Sequence, residues 1–283
     1  MTLRIAVASG KGGTGKTTVS CGLSWQASRD GVPVSLVDCD VEEPNVNLFL
    51  KAPLEKSEDV TVLNPVVDME ACTGCGLCGD ICQFSGIVVV NGKPLVFSEM
   101  CHSCGGCTLV CPVKAITEKE RPIGIIESGS FGDIRYTGGR MNVGEAKAPP
   151  LISAVAKKAG NPDVLIYDAP PGTSCPVIET VRLSDFTVLV TEPTPFGLND
   201  LVLAVEMVRA VGLPFGVVIN RSDAGDDCVE NYCSEEKINI LGRIPYSRAV
   251  AEAYAEGNVI ETLVDTFGHV LDDILENSKK GQG

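Results

Sequence analysis

Histidine is almost missing from this chain: His102 and His269 are the only two in 283 residues. Neither is placed to serve a serine or cysteine nucleophile, so triad-type acyl chemistry is excluded. Basic clustering is missing as well. Lys and Arg number 23 against 37 Asp and Glu, a net charge of −14, and no run of roughly five to eight basic residues interrupts that balance. A chain of this sign is repelled by nucleic-acid backbones and by anionic membranes. No apolar run approaches the roughly 18 residues of a spanning helix. The opening residues, Met1-Thr2-Leu3-Arg4, lack the charged, apolar, then small order of a secretory signal. The expectation is a cytoplasmic protein whose partners are neither nucleic acid nor membrane. With 44% hydrophobic and 21% charged residues, the composition is that of an ordinary globular chain of one large or two smaller domains.

Cysteine is what the chain has in excess. There are thirteen, and in a reducing compartment they are expected to be ligands or buried thiols rather than disulfides. Cys21, Cys39, Cys175, Cys228 and Cys233 are scattered. The others form two matched sets. Cys72, Cys75, Cys78 and Cys82 stand in C-T-G-C-G-L-C-G-D-I-C, and Cys101, Cys104, Cys107 and Cys111 in C-H-S-C-G-G-C-T-L-V-C-P. Each cysteine of the first set has a mate 29 positions on, Cys72 with Cys101 through to Cys82 with Cys111. This internal repeat of C-x₂-C-x₂-C-x₃-C is the spacing of bacterial two-cluster ferredoxins. Structural zinc instead takes paired C-x₂-C knuckles. In such ferredoxins the fourth cysteine of each run serves the other cluster. One 4Fe–4S cluster is therefore expected on Cys72, Cys75, Cys78 and Cys111, and a second on Cys101, Cys104, Cys107 and Cys82. The repeat is imperfect in one place: Pro112 follows Cys111, but Gln83 follows Cys82. Between the sets, two β-rich runs in 87–97 flank Asn91-Gly92, a hairpin signal. The resemblance to a ferredoxin module covers about residues 65–120.

The rest of the chain reads as alternating strands and helices. Ile5-Ala6-Val7-Ala8 is a buried parallel strand. It runs into Gly10-Lys11-Gly12-Gly13-Thr14-Gly15-Lys16-Thr17-Thr18 and then a helix over 16–30. Strand, glycine loop and helix start are the setting of a phosphate-binding loop, G-x-x-x-x-G-K-[ST]. Glycines let backbone N–H groups curl around phosphate oxygens, and the helix N-terminus adds its dipole. Lys16 is expected at the terminal phosphates and the Thr17 hydroxyl on Mg²⁺. A second strand, 33–37, delivers Asp38-Cys39-Asp40 to the carboxyl edge of the sheet, where ligands of open parallel sheets lie. The strand 163–168 ends in Asp168, a Walker B pattern that holds Mg²⁺ through water. Further strands are expected at 186–191, 215–219 and 240–246, and helices at 199–211, about 246–256 and about 262–277. Residues 51–64 read as a polar, proline-interrupted loop and strand, 124–127 as a strand, and 138–145 as a glycine-rich connecting loop before a helix at about 150–159. The fold class is α/β: a P-loop NTPase with a mostly parallel central sheet flanked by helices, over 1–64 and 121–283. A small α+β ferredoxin-like domain is inserted at 65–120.

The stretch K-G-G-T-G-K-T resembles the deviant phosphate loop of the MinD/ParA/Mrp ATPases, a family that includes the nitrogenase iron protein. The resemblance implies that Lys11 crosses to the nucleotide of a partner subunit, so that the chain forms an ATP-bridged homodimer, or a heterodimer with a related ATPase. It implies that Asp40 positions the attacking water, with Asp38 supporting the metal shell. By the same resemblance, Asp168-Ala169-Pro170-Pro171-Gly172-Thr173 is the second switch, with the Gly172 N–H sensing the γ-phosphate. Asn220, again by resemblance, reads the adenine edge, with Arg221 and Pro245 beside the base. Cys175 reads as a small buried thiol at a helix start. Mrp-type scaffolds carry a C-x₂-C for a bridging cluster near Cys228 and Cys233, where this chain has C-x₄-C. MinD ends in a basic membrane helix, whereas the stretch 272–280 here is mostly acidic.

Three functions are compatible with these features. The first is an ATPase whose nucleotide-gated dimer couples turnover to electron transfer through two 4Fe–4S clusters, for a partner redox or metallocofactor protein. The second is a carrier or scaffold that hands a cluster to apo-proteins. The third, a ParA-like positioning protein, lacks the basic surface or tail it needs.

Overall fold

The computed structural model describes residues 2–51, 53–256, 262–263, 268–269 and 272–277. The expected final helix over 262–277 falls largely outside the described residues. The elements, in chain order, are β1 (Leu3–Ala8), α1 (Lys16–Arg29), β2 (Val34–Asp38), α2 (Val46–Leu50), β3 (Leu54–Val67), α3 (Leu77–Ile81), β4 (Ile87–Val90), β5 (Lys93–Val96), α4 (Gly106–Val110) and β6 (Ile116–Phe131). They continue with β7 (Ile134–Met141), α5 (Pro149–Lys158), β8 (Val164–Asp168), α6 (Cys175–Arg182), β9 (Phe186–Thr191), α7 (Pro195–Val211), β10 (Phe215–Asn220), α8 (Cys228–Glu235), β11 (Ile240–Ile244) and α9 (Arg248–Glu256). No helix among the described residues is long and apolar enough to cross a membrane.

A nine-stranded sheet runs in the order β11-β10-β9-β1-β8-β2-β7-β6-β3. From β11 to β7 every neighbouring pair is parallel. Strands buried on both faces need no alternation, and Ile5, Ala6, Val7 and Ala8 are all fully buried. The helix α1 packs Val19, Cys21, Leu23 and Ala27 into the core with Leu36, Ile166 and Val188. Each buried Val, Leu or Ile among them contributes about 1.5–3 kcal/mol.

Three expectations from the sequence are corrected. Residues 138–141 are not a connecting loop: Gly138 to Met141 form the end of β7, which pairs in parallel with β2. Gly138 is required there because a Cβ would come 2.1 Å from the Tyr136 hydroxyl and 3.3 Å from the Asp38 Cβ. The strands around 54–67 and 116–131 are longer than expected. They are polar because they close one side of the sheet, where exposure is tolerated and Pro65 costs little. Helix α7 starts at Pro195 rather than 199, because Thr194 caps it by accepting the Gly197 N–H at 3.0 Å and proline suits the first helical position.

The chain divides into two compact units: 1–58, 126–140 and 152–283 in one, 59–125 and 141–151 in the other. The second unit holds all eight repeated cysteines. Its hairpin pairs Ile87 with Val96 and Val90 with Lys93. The turn has Asn91 and Gly92 both at positive φ, 50° and 73°, the geometry an Asn-Gly pair favours. Helices α3 and α4 begin after left-handed Gly76 and Gly105, themselves 29 positions apart. The core is Cys78, Ile87 and Ile116, with Cys82, Cys107 and Cys111 packed against it.

Candidate nucleotide site and cysteine centres

In the first unit a cleft of about 950 Å³ opens at the carboxyl ends of the strands, near the upper end of the ~300–1,000 Å³ of small-molecule sites. Gly12, Gly13, Gly15, Lys16, Thr17 and Thr18 form its floor, and Asp40, Asn220, Arg221 and Pro245 line its sides. The chain approaches itself so closely here that side chains are forbidden. A Cβ on Gly10 would meet the Asp200 carbonyl oxygen at 2.0 Å, and one on Gly15 would meet the Asn220 amide at 2.4 Å. The Thr14 hydroxyl is buried with no partner in the protein. A buried donor of this kind seeks an acceptor, and a phosphate oxygen in the loop would supply one.

Beneath the floor lie the acids. Asp168, at the end of β8, accepts from the Thr17 hydroxyl at 2.8 Å and the Ser20 hydroxyl at 2.6 Å. Burial pushes its pKa up, against those two hydroxyls and the Lys16 charge. Thr17 and Asp168 thus sit together as the donor set for a hard cation, which prefers oxygen ligands. Asp38, expected to support the metal shell, stands opposite Asp168 in the β2–β8 pairing. Its carboxylate accepts backbone N–H groups of Asp40 at 3.1 Å, Asn45 at 2.9 Å and Val46 at 3.0 Å. It is fully buried and holds the 40–46 loop rather than lining the cleft. Burial and the neighbouring Asp168 carboxylate push its pKa up. Asp40 does face the cleft. Burial pushes it up to about 6, with the Glu43 N–H and Lys16 opposing.

Four residues expected at the nucleotide make their contacts within the chain itself. The Gly172 N–H donates to the Ser9 carbonyl at 3.0 Å. Lys11 faces Asp200 at 4.0 Å. The Asn220 amide donates to the Thr14 carbonyl at 2.8 Å, and Arg221 pairs with Glu192 at 3.2 Å. Ser9, Ser20 and Asp200 escaped the sequence reading. Only Ser20 had a local signal: it lies one helical turn after Lys16, on the same face of α1.

In the second unit, Cys72, Cys75, Cys78 and Cys111 line one small cavity of about 20 Å³, closed by Val67, Val89, Pro94 and Ile116 among others. Burial, and behind it the charge of Cys72 and Cys75, pushes Cys78 up. Cys107 is pushed up by burial and by Cys101. Burial works against ionisation of Cys82 too, but the N–H groups of Phe84, Ile87, Gly86 and Ser85 outweigh it and hold its thiol below the usual range. Backbone N–H groups reach two further sulfurs, Ser103 on Cys101 at 3.4 Å and Ala115 on Cys111 at 3.2 Å. Among the described residues no three His, Cys, Asp or Glu side chains meet at single-ion spacing. A cubane does not require that, since each thiolate binds a different iron. Apolar walls and four thiols at one cavity, with the Ala115 N–H on the Cys111 sulfur, are the donor chemistry such a group takes. Cys175 starts α6 as expected but is exposed, not buried; its side chain precedes the inward-facing positions of that helix, Val177 and Val181. Cys228 and Cys233 share α8, the first half-buried and the second buried.

Residues 5–260 match the CobQ/CobB/MinD/ParA nucleotide binding domain. The chain belongs to this family. A relative from Methanocaldococcus jannaschii, named an uncharacterized protein, is 35% identical over 223 residues, 77% of this chain and 78% of its own. An iron-sulfur cluster carrier protein of Aquifex aeolicus is 29% identical over 276 residues, 90% of this chain but 61% of its own length. Among solved structures, the septum site-determining protein MinD of Pyrococcus horikoshii, complexed with Mg-ADP, superposes with a TM-score of 0.55 at 21% identity. That match covers 91% of this chain and 86% of the other, and shows the shared CobQ/CobB/MinD/ParA fold. Family members are thus nucleotide-binding proteins built on this sheet, and relatives include iron–sulfur cluster carriers.

Proposed function

We propose that the protein is an ATPase that couples nucleotide turnover to electron transfer through two 4Fe–4S clusters. One observation carries the reading. Three cysteines of the first run and the last cysteine of the second, Cys72, Cys75, Cys78 and Cys111, meet at one cavity, the crossed pairing of a two-cluster ferredoxin. Residues 65–120 are then the ferredoxin-type domain, inserted in an ATPase formed by 1–64 and 121–283.

The proposed ATP chemistry is positioning and charge stabilisation. Backbone N–H groups of the 10–15 loop and the start of α1 cradle the phosphates. Lys16 supplies positive charge from a nearly buried position. Thr17 and Asp168 hold Mg²⁺, which when bound neutralises charge on the transferring oxygens. The Asp40 carboxylate accepts a hydrogen bond from the attacking water and orients it. The Gly172 N–H exchanges Ser9 for a phosphate oxygen, Lys11 leaves Asp200 for the nucleotide of a second subunit, and Asn220 presents its carbonyl oxygen to the base. The partner subunit is a second copy or a related ATPase, and the electron acceptor a redox or metallocofactor protein.

Cluster transfer is the second reading, favoured by the carrier names of the relatives. EPR of the anaerobically purified, dithionite-reduced protein, with and without ATP, joined to a chelator challenge, separates the two. Electron transfer predicts two interacting 4Fe–4S signals that change with ATP while iron stays bound. Carriage predicts iron released to the chelator on ATP addition. Iron and sulfide near zero overturn both.

A further inference from the structure

The second unit contains a segment that the cysteine repeat does not account for. Residues 141–151 belong to it although the cysteines end at Cys111. The segment is tied down along its length. The Asn142 N–H donates to the Ile123 carbonyl at 2.9 Å and its side-chain amide to the Pro122 carbonyl at 3.2 Å. Arg121 donates to one oxygen of Glu145 at 2.5 Å, and the Glu145 side chain is only 2% exposed. The other oxygen accepts the N–H groups of Ala146 and Lys147, each at 3.2 Å. A charge-assisted, largely buried pair of this kind fixes a backbone far better than a surface ion pair does. What it fixes is Lys147, whose ammonium donates to the carbonyl of Cys101.

Cys101 opens the second cysteine run. Its counterpart in the repeat, Cys72, is approached by a different kind of chain. The loop leading to it carries Asp68 and Glu70, and Asp68 accepts the N–H groups of Glu70 and Ala71 at 2.9 and 3.3 Å. The cavity lined by Cys72, Cys75, Cys78 and Cys111 has no charged side chain in its walls. The acid before each run is itself repeated, Glu70 before Cys72 and Glu99 before Cys101, and Glu99 acts on the Lys147 charge; the asymmetry in charge lies in Asp68 on the first side and Lys147 on the second.

We propose that Lys147 is a positioning residue for the second cluster, placed by the Arg121–Glu145 pair so that its charge raises that cluster's reduction potential above the first. The inference rests on the ferredoxin reading. Reduction of a 4Fe–4S²⁺ centre to the 1+ state adds one negative charge, and a fixed ammonium beside a ligand loop stabilises the reduced form more than the oxidised one. Cys72, Cys75, Cys78 and Cys111 would then hold the centre of lower potential and Cys101, Cys104, Cys107 and Cys82 the one of higher potential, and a single electron exchanged between two such groups would need no proton or further reactant.

The test uses the full chain, purified anaerobically, as wild type and as Lys147→Gln and Lys147→Arg. Iron, sulfide and a potentiometric EPR titration against dithionite are measured on each, with Cys104→Ser identifying which signal belongs to the second cluster. The expected result is about eight irons per chain in every Lys147 variant. In Lys147→Gln the reduced form of the second cluster is about tenfold weaker, a one-electron shift of about 59 mV, with the first cluster unmoved. Lys147→Arg restores the wild-type value. Full iron with neither potential shifted, or with both shifted equally, overturns the proposal and leaves the ferredoxin reading standing. Wild-type protein that takes up no iron overturns both.

Discussion

A carboxylate such as Asp40 shows how one side chain ties the energetics of folding to those of the site. Its pKa is raised from 3.8 to about 6, chiefly by burial. The folded state therefore binds its proton more tightly than the unfolded chain does. The resulting stability is fully present below about pH 4 and is lost as pH rises through about 6. Removing the charge should help the fold and harm the chemistry. Asp40→Asn is expected to stabilise the fold at pH 7.5, by about 1 kcal/mol after solvent screening of a partly exposed group, and to leave its stability nearly unchanged at pH 4. The same change should lower ATP hydrolysis about a hundredfold. Wild-type hydrolysis should fall away below about pH 6. Calorimetry at the two pH values and a phosphate-release assay check both halves. Lys16→Ala is the complementary case. It should reduce turnover about a hundredfold or more while the iron content of the protein stays at the wild-type value. An undiminished rate overturns the assignment of this loop to the nucleotide.

Among elements, the first cysteine loop packs backbone to backbone against the hairpin of β4 and β5. Gly74 holds φ +71°, and a Cβ there would sit 2.5 Å from the Gly92 carbonyl oxygen. A methyl group must displace backbone, not a flexible side chain. Gly74→Ala is expected to lose about four of about eight irons while nucleotide binding, measured by fluorescence of a labelled ATP analogue, is retained. Loss of both activities together would mean that the two units do not fold separately. The elements also differ in how legible they were. The strands β1, β8, β9 and β10 were readable because uninterrupted apolar runs have few other places to go. So was the hairpin, because Asn91-Gly92 allows few other turns. The strands β3 and β6 were readable only in part, at 51–64 and 124–127, since a polar stretch at the side of a sheet has little burial pattern to show its full length. The glycines of β7 imitate a loop, and only the packing of Tyr136 and of Asp38, the latter distant in sequence, explains Gly138. The site followed the same division. Lys16, Thr17 and Asp168 sit in contiguous motifs. The Ser9 carbonyl that receives the Gly172 N–H and the Asp200 that faces Lys11 are tertiary contacts with no local trace.

For the whole molecule, the resting contact between Lys11 and Asp200 sets an oligomeric expectation. At 4.0 Å, half-exposed on both sides, it is a weak pair worth at most about 1 kcal/mol, readily surrendered to a nucleotide phosphate. With a non-hydrolysable ATP analogue the protein should sediment as a dimer, with ADP as a monomer. Lys11→Ala should remain monomeric with either, while still binding nucleotide with an affinity within about tenfold of wild type. Dimers that form equally well without Lys11 overturn its assignment to the partner's nucleotide.

The placing of β1 also dictates an order of manufacture. It precedes every other described element, yet its neighbours in the sheet are β8 and β9, so it waits for residues 164–168 and 186–189 before it can pair. The eight repeated cysteines have all emerged long before then, and Lys147 shortly after them. The cysteine unit can therefore be finished while β1 is still an unpaired apolar strand. Long-range pairing of this kind is slow, and iron supply during translation is expected to govern the yield of the cysteine unit more than that of the ATPase.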